Sequence, residues 1–164
     1  MIRHFIRLLK FKADKRYKQV HIKSINENIS PFGMDYTIYF QLADKNVFIP
    51  IDLTFDSGQN IVMVSECENY PRPHVYDTLR RTIYGLGGIP RAVLIAMYSG
   101  GIYYTFIQVE KDKELLEIDA KFSDAISTAI VCKIPIFVEE KLSEIVGINV
   151  DEEMEKINEG LTGI

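Results

Sequence analysis

The chain has little of what marks a metalloprotein, a disulfide-stapled domain or a membrane protein. Only two of its 164 residues are cysteine, Cys67 and Cys132, each inside an apolar stretch. Two buried thiols are the simplest reading, and they suit a reducing cytoplasm; a disulfide between them stays open. The three histidines, His4, His21 and His74, are scattered and lack metal-ligand spacing. No apolar run is long enough to span a bilayer. The basic N-terminus lacks both an uninterrupted apolar stretch and a small-residue cleavage site, so it does not read as a signal peptide. There is no Walker loop and no dinucleotide-binding glycine pattern; Gly85-Leu86-Gly87-Gly88 reads as a helix stop. No serine or cysteine has a credible general base nearby in sequence.

What is present is globular: 47% of residues are apolar and 26% charged. The length suits one ordinary domain. The net charge is −4, yet from Met1 to Ser24 there are eight Lys/Arg and one acid, Asp14. This divides the chain into a basic arm (1–16), a domain (17–148) and an acidic tail (149–164). The arm hints at an anionic partner, although a solvated leading segment explains it equally simply. Ile2, Phe5, Ile6 and Leu9 fall at helical spacing and predict a short basic amphipathic helix.

Alternation predicts a strand at Val20 to Ile25, then a loop from Asn26 to Gly33, then a hairpin of Tyr36–Leu42 with Val47–Leu53. After Pro71 and Pro73 a helix starts near His74, with Val75, Leu79, Thr82, Ile83 and Leu86 on one face. Strands follow at Arg91–Tyr98, Ile102–Val109 and Leu115–Ala120, and a helix at Ser123–Lys133. A short strand (135–138), a helix (139–146) and an acidic helical tail (151–158) complete the chain. An offset of 67 residues aligns Tyr36 with Tyr103, Asp52 with Asp119 and Phe55 with Phe122. It predicts a duplicated strand–strand–helix unit and assigns the ambiguous segment Ser57–Cys67 to helix. The expected fold is α+β, a mixed sheet packed with helices.

Two segments concentrate polar chemistry beside apolar runs. In Asp119-Ala120-Lys121-Phe122-Ser123-Asp124-Ala125, Asp119 and Lys121 share a strand face, Ser123 suits a helix N-cap, and Asp124 sits where the helix dipole favours an anion. Capping alone explains Ser123 and Asp124; a lysine beside a helix N-terminus also makes a phosphate site, and neighbouring carboxylates suit a divalent metal. In Pro71-Arg72-Pro73-His74-Val75-Tyr76-Asp77, prolines fix the backbone on both sides of Arg72, and Asp77 lies in a first helical turn. Arg72, Arg80, Arg81 and Arg91 make a candidate phosphate patch.

These segments resemble known motifs. Tyr70 to Asp77 is similar to the proline–arginine–proline and histidine–aspartate motif of the bifunctional nuclease domain family. Asp119 to Ala125, followed by Ile134-Pro135-Ile136-Phe137-Val138, resembles that family's second motif run; the resemblance covers Val20 to Val146. It implies an α+β fold, homo-oligomers, and the DNase and RNase activity reported for some members. Arg72, Asp77, Asp119, Ser123 and Asp124 match the pattern. Tyr76 stands where histidine is usual, Lys121 and Phe122 replace arginine and proline, and Ser57 replaces a glutamate, while Gly58 is kept. The expected function is metal-assisted phosphodiester hydrolysis of DNA or RNA. Asp77, Asp119 and Asp124 would be catalytic, and Arg72, Lys121 and Ser123 would bind substrate. Asp119 and Asp124 would hold Mg²⁺ or Mn²⁺. The alternative is a non-catalytic oligomeric module binding nucleic acid, protein or a small anion.

Overall fold

A computed structural model describes residues 6–9, 16–31, 33–66 and 71–150. The tail helix expected at 151–158, Cys67, and most of the basic arm lie outside them. The fold is α+β: one mixed sheet with helices packed on it. In chain order the elements are β1 (Ile6–Leu9), β2 (Tyr17–Ser30), β3 (Gly33–Leu42), β4 (Val47–Leu53), α1 (Phe55–Glu66), α2 (Val75–Gly85), β5 (Ile89–Ser99), β6 (Ile102–Lys111), β7 (Glu114–Ala120), α3 (Phe122–Cys132), β8 (Ile136–Glu139), α4 (Glu140–Val146) and β9 (Ile148–Asn149). The nine described strands run β1-β7-β6-β5-β8-β2-β3-β4-β9. Only β5 and β8 pair in parallel; every other ladder is antiparallel. No helix among the described residues is long and apolar enough to cross a membrane.

The sheet contains two antiparallel meanders, β2-β3-β4 and β5-β6-β7, each followed by a helix, with β8 between them. One sequence offset does not relate the two throughout. Leu53 pairs with Tyr36, whereas Ala120, 67 positions further on, pairs with Thr105 rather than Tyr103. The hairpins explain the difference: four residues separate the paired ends of β3 and β4, and two, Asp112 and Lys113, join β6 to β7. Both turn residues take the left-handed conformation, with φ of 52° and 68°, which suits a two-residue turn between twisted strands.

The core lies between the sheet and the pair α1 and α3. Ile38, Phe40, Ile49, Ile51, Ile61, Val93, Ile95 and Ile126 are all essentially inaccessible. Their alternation along β3, β4 and β5 puts every second side chain under the helices. Gly58 sets how closely α1 approaches. A Cβ there would lie 2.3 Å from the Tyr36 ring, so only glycine admits that ring beneath the helix.

Several expectations need correction. Residues 6–9 form a strand, not part of a helix: Ile6 to Leu9 pair with β7, whose outer edge needs a partner. The expected loop at 26–33 is mostly strand. β2 and β3 stay paired from Ile25↔Ile38 to Ser30↔Gly33, and beyond Tyr36, where β4 ends its pairing, they run on as a two-stranded ribbon. Ser123 is not the N-cap of α3; Lys121 is, and its side chain makes no capping bond. The apolar side of α2 is largely uncovered, with Val75 and Leu86 each 67% exposed. Cys132 is a free thiol that is only partly buried.

Candidate functional site

The starts of two helices converge where the motif residues lie. α2 follows Pro71-Arg72-Pro73, and α3 follows Lys121. Tyr76 is the second residue of α2 and is buried beneath it. Its hydroxyl donates a 2.9 Å hydrogen bond to Oδ1 of Asp124, joining residues 48 apart in sequence. Burial is the main cause that pushes the Tyr76 pKa up to about 12, and the bond to Asp124 adds to it; Ser127, one turn further along α3, acts against it. Tyr76 is therefore a neutral hydrogen-bond donor near neutral pH. It cannot serve as the base that an imidazole at this position could be.

Asp124 lies in the first turn of α3, where the helix N–H groups favour an anion. Next to it, Ser123 is 1% exposed and its Oγ has no hydrogen-bond partner among the described residues. An unsatisfied buried hydroxyl costs ~1–3 kcal/mol, and such a group suits contact with a water or substrate atom. Lys121 is exposed at the helix start, and Arg72 is exposed ahead of α2.

The remaining acidic candidates are held differently. Asp77 Oδ1 accepts from Nη2 of Arg80 at 3.2 Å. Both act on Cys132 in the last turn of α3: burial raises the thiol pKa most, Arg80 lowers it and Asp77 raises it. Asp119 is exposed on β7, opposite Phe106 of β6. Asp77, Asp119 and Asp124 thus occupy three settings. Among the described residues no three His, Cys, Asp or Glu side chains group to hold a metal ion, so these donors do not fit a three-residue metal cage. The arginine patch is also divided. Arg80 is engaged by Asp77, and Arg91 by Glu110 at 2.8 Å, while Arg72 and Arg81 are exposed.

Sequence reasoning missed two features. One is the Tyr76–Asp124 bond, because the packing of α2 on α3 leaves no mark in local spacing. The other is an aromatic row at the same helix start. Phe122 packs edge-on to Phe40, centroids 6.1 Å apart, and against Tyr103 at 5.5 Å; Tyr103 in turn meets Tyr98 at 4.5 Å. A cavity of about 370 Å³ lies elsewhere, between β4, α4 and β9, lined by Lys18, Asp44, Lys45, Glu140 and Glu144 among others; no motif residue borders it.

A model of the bifunctional nuclease domain matches residues 38–151. The chain belongs to that family. It is similar to Bifunctional nuclease 1 of rice (Oryza sativa subsp. indica), 31% identical over 83 residues, which is 49% of this chain and 25% of the rice protein. A protein of Oryza minuta named Bifunctional nuclease aligns with the same identity and coverage. An uncharacterized protein of Mycobacterium tuberculosis (strain CDC 1551 / Oshkosh) is 24% identical over 114 residues, 70% of this chain and 68% of its own. The chain thus spans about a quarter of the length of the rice proteins it matches.

Proposed function

We propose that this chain is a phosphodiesterase of the bifunctional nuclease type, acting on DNA or RNA at the start of α3. The observation that carries the reading is the Tyr76–Asp124 hydrogen bond, which brings the two family motifs into one place. Asp124 is the central acidic group, with one oxygen held by Tyr76. Lys121, Arg72 and the Ser123 hydroxyl are the groups proposed to meet the phosphate. Asp119 extends the acidic edge. Asp77 is retained as a functional candidate that acts from the Arg80 side. An activating Mg²⁺ or Mn²⁺ would rest on Asp119 and Asp124 at most, with phosphate and water completing its shell as is usual for Mg²⁺. The compartment proposed is the cytoplasm, which suits the free thiol of Cys132.

The test is a nuclease assay of the purified chain with Mg²⁺ or Mn²⁺, beside EDTA and an Asp124→Ala variant. Cleavage that falls in both controls supports the reading. Cleavage that survives both belongs to a contaminant or another site.

A second reading, a non-catalytic oligomeric binding module, is favoured by α2. Its side bearing Val75, Leu79 and Leu86 is exposed in the single chain, and apolar helix faces of this kind suit a partner. Sedimentation of the wild-type chain tests assembly independently of cleavage: a single-chain mass removes this second reading.

A further inference from the structure

We infer that Tyr98 and Tyr103 form a stacking platform that selects single-stranded nucleic acid and leads it to the start of α3. The inference deepens the phosphodiesterase reading and rests on it.

The platform is built by a hairpin that leaves the sheet. β8 pairs with β5 only from Val93 to Ile95, and β7 accompanies β6 only as far as Thr105. Beyond these points, Met97↔Tyr104, Tyr98↔Tyr103 and Ser99↔Ile102 pair with each other alone. A register shift between Ile95 and Met97 marks a bulge at the point of departure; bulges increase local twist and re-aim side chains. Past it, Tyr98 and Tyr103 are directly opposed, their rings 4.5 Å apart.

Three observations specify the occupant. First, the row is graded from solvent to site: Tyr98 is 47% exposed, Tyr103 is half-buried, and Phe122 is buried. Second, Phe122 directly follows Lys121, the exposed N-cap residue, so the inner end of the row lies at the start of α3, one residue from a cationic side chain. An uncovered aromatic face beside a phosphate-sized cationic corner matches a base and its backbone. Third, one carboxylate borders the row. Asp52 lies near enough to Tyr103 to contribute, after burial and Tyr98, to its raised pKa. A carboxylate there disfavours a grip made of many phosphate contacts. Base stacking is then the main source of affinity, and a duplex keeps its base faces inside its own stack.

The experiment is fluorescence anisotropy of a labelled oligothymidylate, and of a duplex of equal length, with the full chain in EDTA so that nothing is cut. Wild type, Tyr98→Phe and Tyr98→Leu are compared. The leucine keeps an apolar cover over Tyr103 but removes the π-face. Expected are preference for the single strand, retention by Tyr98→Phe, and about tenfold weaker binding by Tyr98→Leu, which corresponds to ~1.4 kcal/mol. The chain has nine tyrosines and no tryptophan, so part of the tyrosine emission should be quenched on binding by wild type, and that part should be lost in Tyr98→Leu. Equal binding of single strand and duplex, or unchanged binding by Tyr98→Leu, overturns the platform. A change in sedimentation of Tyr98→Leu with binding intact also overturns it, since the hairpin would then be covered by another copy. Selective binding without cleavage when Mn²⁺ is restored leaves the platform standing and removes the phosphodiesterase reading.

Discussion

The two meander–helix units use matched positions in opposite ways. In the first, polar groups near the start of α1 satisfy one another. Thr54 donates to Ser57 at 3.1 Å, Thr37 donates to Asp52 at 2.7 Å, and Asn28 donates to Thr37 at 2.7 Å. In the second, the start of α3 leaves Ser123 Oγ without a partner among the described residues and gives Asp124 to a residue of another helix. Each unit also pairs an aromatic of its second strand with the first residue of its helix. The Tyr36 and Phe55 centroids are 6.1 Å apart, and those of Tyr103 and Phe122 are 5.5 Å apart. The first tyrosine is locked in by Gly58, and the second continues outward to Tyr98. A scaffold closes its polar groups internally; a site leaves some open at a cost. On that reasoning we propose the first unit as the scaffold and the second as the one that carries the function.

The largest expected effect breaks the scaffold side. Gly58→Ala would push a methyl into the Tyr36 ring and its Cβ. The expected cost is about 3 kcal/mol, the upper part of the range for overpacking a core, read as a lower urea midpoint. The counterpart of Gly58 at the 67-residue offset is Ala125, which is fully buried without difficulty. There β6 presents Thr105, not a tyrosine, at the matching register position. Ala125→Gly should cost about 2 kcal/mol, the helix-propensity difference plus the burial of one methyl. Equal costs at the two positions would break the comparison.

Tyr76→Phe sharpens the other side. It removes the donor to the Asp124 carboxylate, and a hydrogen bond to a charged group is worth ~1.5–3 kcal/mol. A loss near the lower end is expected, since Asp124 is only partly buried. Hydrogen exchange should quicken in α2 while α1 keeps its protection. Uniform quickening would mean that the bond does not hold α2 in particular.

A smaller effect comes with pH. The Tyr76 pKa is raised above its unfolded value of 10.0 to about 12, and those of Tyr36 and Tyr103 are also raised, chiefly by burial. A raised folded pKa stabilises fully below the unfolded value and is lost as pH climbs through the folded one. Stability should therefore hold to about pH 10 and fall from there toward pH 12. In Tyr76→Phe the fall should be shallower. A tyrosinate absorbance titration alongside denaturant midpoints checks both.

Much of this was legible in the sequence because it depends on local signals. The bounds 47–53 of β4 follow from alternation, and α1 followed from its likeness to the segment that became α3. The turn at Gly85–Gly88 stops α2 as its composition predicts, with the Gly88 N–H reaching back to the Ile83 carbonyl. What was not legible depends on distant partners. Ile6 to Leu9 carry a pattern that fits helix or strand, and only the free edge of β7 decides it. At the site, residue types were legible and relations were not. Asp77 and Asp124 both looked like first-turn anions, yet one faces Arg80 and the other Tyr76. Tyr98 reads as the end of a strand; its proposed role depends on a register displaced by one bulge.

The most direct measurement compares the two first-turn carboxylates, Asp56 of α1 and Asp124 of α3. Each lies in the first turn of its own helix and meets a similar dipole, so Asp56→Asn controls for any general effect of losing that charge. Initial rates of oligonucleotide cleavage with Mn²⁺ would be measured for both variants beside wild type. The account predicts that Asp124→Asn loses roughly 100-fold or more in rate, the scale of losing a group that stabilises developing charge, while Asp56→Asn cleaves as wild type does. Equal rates for the two variants would contradict it and leave the start of α3 without a catalytic role.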